Sequence, residues 1–164
     1  MSFGFMLVAF IATTNAGRVA FASRGARPTT RTLALALAAG AGLIAVGTLV
    51  ADDLLDALSI SPESFRIAAG LVLAAAGLRT IVWPEPSGPF AAILVTPALA
   101  CLAISFGADE AVGAVLGAAA IALALVAAAA LAAPRLPAGR ATEFLAAAQV
   151  VIAVALVVSG VRDV

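Results

Sequence analysis

The sequence predicts an all-α, polytopic membrane protein. Six apolar stretches, each close to the length that crosses a bilayer, fill a chain of 164 residues. Only 11% of the residues are charged and 64% are hydrophobic, with a mean hydropathy of +1.18. A soluble domain of this size carries charge on roughly a quarter of its residues. The arginines, moreover, gather in alternate gaps between the apolar stretches. Strands do not fit, because alanine and leucine dominate without the two-residue alternation of an outer-membrane barrel. Open backbone groups are too costly in lipid for anything but helices or closed barrels.

A hydrocarbon core of about 30 Å takes about 20 helical residues. On that measure the spans lie at roughly 3–22, 32–51, 63–83, 90–107, 111–133 and 142–161. The first holds Thr13-Thr14-Asn15-Ala16-Gly17-Arg18 near its middle. Three consecutive hydrogen-bonding side chains and a glycine there favour an unwound or left-handed residue. Arg24, Gly25, Arg27 and Pro28 separate it from the second span, which Thr29 or Thr30 can cap. Ser61-Pro62-Glu63-Ser64 opens the third with a serine cap, a proline at the first helical position and an acid in the first turn. Pro84, Pro86, Gly88 and Pro89 end it.

Thr96-Pro97 interrupts the fourth span, since proline removes a backbone donor and frees a carbonyl. The fifth contains Gly113-Ala114-Val115-Leu116-Gly117, a GxxxG run that serves a close helix contact inside the bundle or between copies of the chain. Glycines 40, 42, 47, 70 and 77 line other spans. Pro134, Pro137 and Gly139 precede the sixth. With gaps this short the chain reads as one transmembrane domain, 1–164.

Arginine counting gives the orientation. Arg24, Arg27 and Arg31 occupy the first gap, Arg79 flanks the third, and Arg135 and Arg140 lie in the fifth. The second and fourth gaps hold acids only: Asp52, Asp53, Asp56, Asp109 and Glu110. Odd gaps are therefore expected in the cytoplasm and both termini outside. Arg66 dissents, one turn inside the third span, where it can snorkel or pair with the acids of the second gap. Trp83 falls where an interfacial aromatic belongs.

Three spans precede the 84–89 linker and three follow it. An odd number per half makes residues 1–83 and 90–164 enter the membrane in opposite senses, the layout of inverted-repeat carriers. A shift of 83 residues places Gly77-Leu78-Arg79 on Gly160-Val161-Arg162 and Arg66 on Gln149. Each half also opens with an interrupted helix, and paired interruptions point to a binding site at membrane depth. The candidate substrate-binding residues are thus Thr13, Thr14, Asn15, Gly17, Thr96 and Pro97. Arg66, Gly70, Gly113 and Gly117 are candidate structural or interface residues. The bland alternative is a proline kink and back-bonded threonines, with Asn15 as a helix adhesive.

Catalysis is not expected. Histidine is absent, Cys101 stands alone, and the acids fall at span ends, so neither a metal nor a general base is in place. No cofactor and no nucleic-acid partner are expected. No carboxylate lies at mid-depth, so sodium held by neutral oxygens suits a coupling ion better than a proton.

Ser59-Ile60-Ser61-Pro62-Glu63-Ser64-Phe65-Arg66-Ile67-Ala68-Ala69-Gly70 resembles the signature at the third helix of the MarC family. These are six-helix inner-membrane proteins also described as neutral amino acid transporters. Asn15-Ala16-Gly17 partly matches that family's Asp/Asn-Pro-x-Gly pattern, and Thr96-Pro97 and Ser159-Gly160 resemble its later segments. Where the family carries proline this chain has Ala16, with a shortened step to glycine, so unwinding rests on Asn15 and Gly17. The resemblance implies a bacterial inner-membrane secondary transporter of a small neutral metabolite such as a neutral amino acid. The rival expectation is a non-transporting subunit or scaffold that docks a partner, or a second copy, through small-residue helix faces.

Overall fold

The computed structural model describes residues 2–19, 29–83, 94–132 and 138–163. Among the described residues seven helices are defined: α1 (Phe3–Thr14), α2 (Thr30–Leu49), α3 (Ala51–Leu58), α4 (Pro62–Val82), α5 (Pro97–Asp109), α6 (Val112–Ala132) and α7 (Ala138–Asp163). A further helical turn follows α1 over 16–19. The arginine-bearing first gap at 24–28, the 84–89 linker, and Pro134, Arg135 and Pro137 lie outside the described residues.

The caps form where the side chains allow. Thr29 Oγ1 accepts the N–H of Thr32 at 3.1 Å and starts α2. Ser61 Oγ accepts the N–H of Ser64 at 3.3 Å and starts α4, with Pro62 first and Glu63 in the first turn. α3 was not foreseen. It buries Ala51 and Leu55 and turns Asp52, Asp53 and Asp56 outward, ending at Ser59 with φ 53°.

α2, α4, α6 and the 140–163 portion of α7 are each long and apolar enough to cross a membrane. This is a multi-pass membrane protein. Leu35, Leu71, Leu131 and Val151 are exposed on the outside of the bundle, as lipid-facing side chains would be. Four of the six expected spans are such helices; the other two are described as shorter apolar helices, with residues 20–22 and 90–93 of those spans outside the described residues. α1 has 12 residues and α5 has 13, about 18 and 20 Å of helix, short of a bilayer core.

These two short helices lie at the centre. α1 packs on α5, α6 and α7, while α5 packs on α1, α2, α4 and α6. Phe10 and Phe106 meet edge to face with centroids 5.7 Å apart, and Phe5 adds a second edge contact to Phe106 at 6.2 Å. Met6, Leu99, Leu102, Ala118, Ala122 and Leu156 close the core around them. Irregular backbone is tolerated at membrane depth only where protein or a cavity shields it from lipid. The interruptions therefore fall in the two innermost helices.

α4 and α7 pack closely along most of their length. A methyl group on Gly70 would lie 2.8 Å from the Ala153 carbonyl oxygen, and one on Gly77 3.1 Å from that of Ala146. One on Gly160 would lie 2.8 Å from that of Glu63. The contacts advance seven residues along α4 (63, 70, 77) and retreat seven along α7 (160, 153, 146), an antiparallel seam. Lipid supplies no hydrophobic drive between helices, so close backbone approach through glycine provides the attraction. Among the described residues the GxxxG run of α6 makes no such contact: Gly113 is exposed with nothing near its missing Cβ, and Gly117 meets the Phe3 ring at 3.8 Å. The buried face of α6 is Val115, Ala118, Ala119 and Ala122 instead.

Candidate functional site

Both expected interruptions occur. α1 ends at Asn15, whose backbone is left-handed (φ 43°, ψ 71°). Asparagine tolerates this better than other non-glycine residues. Its N–H still reaches Ile11 O at 3.2 Å, closing α1. Its Oδ1 accepts the N–H of Arg18 at 3.1 Å, starting the next turn. Asn15 is thus a C-cap and an N-cap at once. Its side-chain amide donates to the Thr142 carbonyl at 3.4 Å, tying the break to α7. Gly17 permits the close approach: a methyl there would lie 2.6 Å from the Thr142 nitrogen.

At the second interruption Thr96 is extended (φ −118°, ψ 150°) and its Oγ1 accepts the N–H of Leu99 at 3.2 Å. Pro97 takes the first helical position, where its missing N–H costs nothing.

A cavity of about 480 Å³ opens beside this second break. Val95, Thr96, Pro97 and Ala98 form one wall, and Val72, Ala75, Ala76, Arg79 and Thr80 of α4 form another. Arg18, three residues beyond Asn15, completes it. Of the candidate substrate residues, the cavity gathers Thr96 and Pro97. The four from the first break are not among its lining residues. Thr14 Oγ1 bonds back to Phe10 O at 2.8 Å, Thr13 Oγ1 is buried with no partner among the described residues, and Asn15 and Gly17 are packed on α7. Arg18, Arg79 and Thr80 were not singled out from sequence. The only available signal was that both arginines fall at the same end of their spans.

The opposite end of α4 is closed. Arg66 is buried at 7% exposure, with Nε 3.1 Å and Nη2 2.6 Å from Asp109 Oδ2. Its Nη1 donates to Ser159 Oγ at 3.1 Å and to Asp163 Oδ2 at 2.6 Å. The expected pairing with the second gap is corrected: Asp52, Asp53 and Asp56 ride on the outer face of α3, while the ends of α5 and α7 converge on Arg66. A shallower pocket lined by Ser2, Phe5, Ala155 and Ser159 adjoins this cluster.

A shift of 83 residues can be laid over some of these contacts. It carries Gly77 with its neighbours Ala146 and Val150 onto Gly160 with Glu63 and Ile67. Exchanging α1 with α5, α2 with α6 and α4 with α7 turns the α2–α5 contact into α1–α6 and α4–α5 into α1–α7. It leaves α4–α7, α2–α6 and α1–α5 in place.

Fold and composition together define an all-α multi-pass membrane protein. Comparisons with family models, curated proteins and solved structures find no match to this chain.

Proposed function

We propose that the protein is a secondary carrier of a small metabolite in a bacterial inner membrane, built from two inverted three-helix halves with both termini outside. The observation that carries this reading is the placement of two broken helices at the centre of the bundle, beside a cavity that the far end of α4 does not share. The 83-residue relation supports the halves. It sends Val72 and Ala76 of the cavity wall to Ala155 and Ser159, which line the pocket at the opposite end. A carrier of this kind alternates between two such openings by rocking one half against the other. In that cycle the cavity beside Arg79 faces the cytoplasm, and the Arg66–Asp109–Asp163 cluster is the closed outer gate.

The resemblance to MarC carriers rests on Phe65–Gly70 and the shorter matches alone, and a neutral amino acid is the substrate it implies. Sodium as the coupling ion is part of the same proposal. Radiolabelled alanine uptake into proteoliposomes tests it: Asn15→Ala and Pro97→Ala each remove a break residue and are expected to abolish flux while the protein stays folded. Normal flux by both variants would discard the site.

One observation favours the scaffold reading. An apolar groove on the outside of the bundle is lined by Val8, Phe144, Ala148, Val151 and Ile152, with Phe144 73% exposed. Intact protein that moves no solute but copurifies stoichiometrically with one membrane partner would select it.

A further inference from the structure

Arg18 and Arg79 face one cavity from different helices, and neither has an ion-pair partner among the described residues. No carboxylate among those residues lines the space. Arg18 Nε is buried and makes no hydrogen bond. A buried donor left unmade is expensive, and two like charges on one cavity add repulsion. Arg66 shows the contrast, because the same chain supplies it with two carboxylates and a hydroxyl. The third feature is the start of α5 at Thr96–Ala98, the positive end of a 13-residue helix, on the same wall. Thr96 Oγ1 accepts from Leu99, which leaves its own hydrogen free to donate. The remaining walls are largely alanine, valine and proline, and the space is open on the side of Arg79, Ala75 and Val95, which are exposed.

We propose that this cavity binds a compact oxyanion, a carboxylate or phosphate group, between the guanidiniums of Arg18 and Arg79 and the opening turn of α5. As a statement about transported substrate it rests on the carrier reading, and it makes that substrate a carboxylate-bearing solute. Guanidinium matches such groups through paired N–H donors, where a lysine would offer a point charge. The volume, about 480 Å³, falls in the small-molecule range. A phospholipid headgroup offers the same chemistry from the bilayer.

The test uses the full chain in phosphatidylcholine nanodiscs, with equilibrium dialysis against labelled alanine, propionate and inorganic phosphate. Alaninamide, which lacks the carboxylate, is the contrast. At least one of the three oxyanion-bearing probes binds, alaninamide does not, and Arg18→Gln and Arg79→Gln each weaken binding about tenfold or more. Arg18→Lys keeps part of it, and circular dichroism and gel-filtration profiles establish that all variants are folded. Phosphatidylglycerol retained through purification, seen by native mass spectrometry and lost in both glutamine variants, supports the same oxyanion site with a headgroup as its source. Unchanged binding in both glutamine variants, or neither soluble anion nor lipid bound, overturns the proposal. Alanine flux separates this from the carrier reading. Full flux in both variants without anion binding removes the oxyanion site alone, whereas anion binding by a protein that transports nothing removes the carrier alone.

Discussion

Adding one methyl group to the α4–α7 seam probes the packing most directly. At Gly70 it would meet the Ala153 carbonyl oxygen at 2.8 Å and Val157 Cγ2 at 2.7 Å. At Gly77 it would meet Ala146 O at 3.1 Å, and at Gly160 Glu63 O at 2.8 Å. These obstacles include backbone, so the helices themselves must part, and overpacking of this kind costs about 1–3 kcal/mol. Alanine also stabilises a helix by roughly 0.8–1 kcal/mol over glycine, which offsets part of the cost. Gly113→Ala separates the two effects, because it carries the same helical gain with open space around it. Gly70→Ala, Gly77→Ala and Gly160→Ala are therefore each expected about 1–3 kcal/mol below Gly113→Ala. Gly77→Ala and Gly160→Ala, at related positions of the seam, should be similar to each other. Detergent-micelle unfolding titrated with sodium dodecyl sulfate and followed by far-UV circular dichroism measures the difference. If all four variants unfold at the same midpoint, the seam is not close-packed and the α4–α7 geometry described above is wrong.

Other consequences follow from the same structure. Asp109→Ala should destabilise more than Asp163→Ala, because the Asp109 side chain is 17% exposed and that of Asp163 53%. With the outer partner screened by solvent, Arg66→Gln should cost about 1–3 kcal/mol in the same titration, below the value for a fully buried pair; equal effects of the two aspartate variants would refute the ranking. Asn15→Ala forces a Cβ-bearing residue without a side-chain cap into the left-handed region, so it should be about 1–2 kcal/mol less stable than Asn15→Gly. Equal midpoints would mean that Asn15 is not left-handed. Trp83, the single tryptophan, is 67% exposed at the end of α4. Brominated lipids should quench its fluorescence most strongly with bromine near the headgroup, and deepest quenching at the chain terminus would place it wrongly.

Much of this architecture was legible in the residues themselves. Span positions follow from apolar run length, because backbone in lipid has no alternative to a helix. The start of α4 was readable at Ser61 and that of α2 at Thr29 or Thr30, between which the structure chose Thr29, since a cap is a local hydrogen bond over three residues. Both helix breaks were readable too, at Asn15 and Thr96-Pro97, since left-handed backbone and a missing donor are properties of those residues. α3 was missed because an eight-residue amphipathic helix beside a long apolar one leaves little periodic signal.

What only the tertiary structure decided was who faces whom. Gly113 and Gly117 carry the familiar spacing yet meet no helix backbone among the described residues, whereas Gly70, Gly77 and Gly160 do, because close approach depends on which face each helix turns inward. By sequence Arg66 was expected to snorkel or to pair with the acids of the second gap, and the convergence of α5 and α7 chose Asp109 and Asp163. Arg18 and Arg79 are 61 positions apart, one read within the first span and the other as a charge flanking the third gap. Local chemistry fixes where a helix starts, breaks and stops. A shared cavity is a property of rotation and crossing angle, which no single segment encodes.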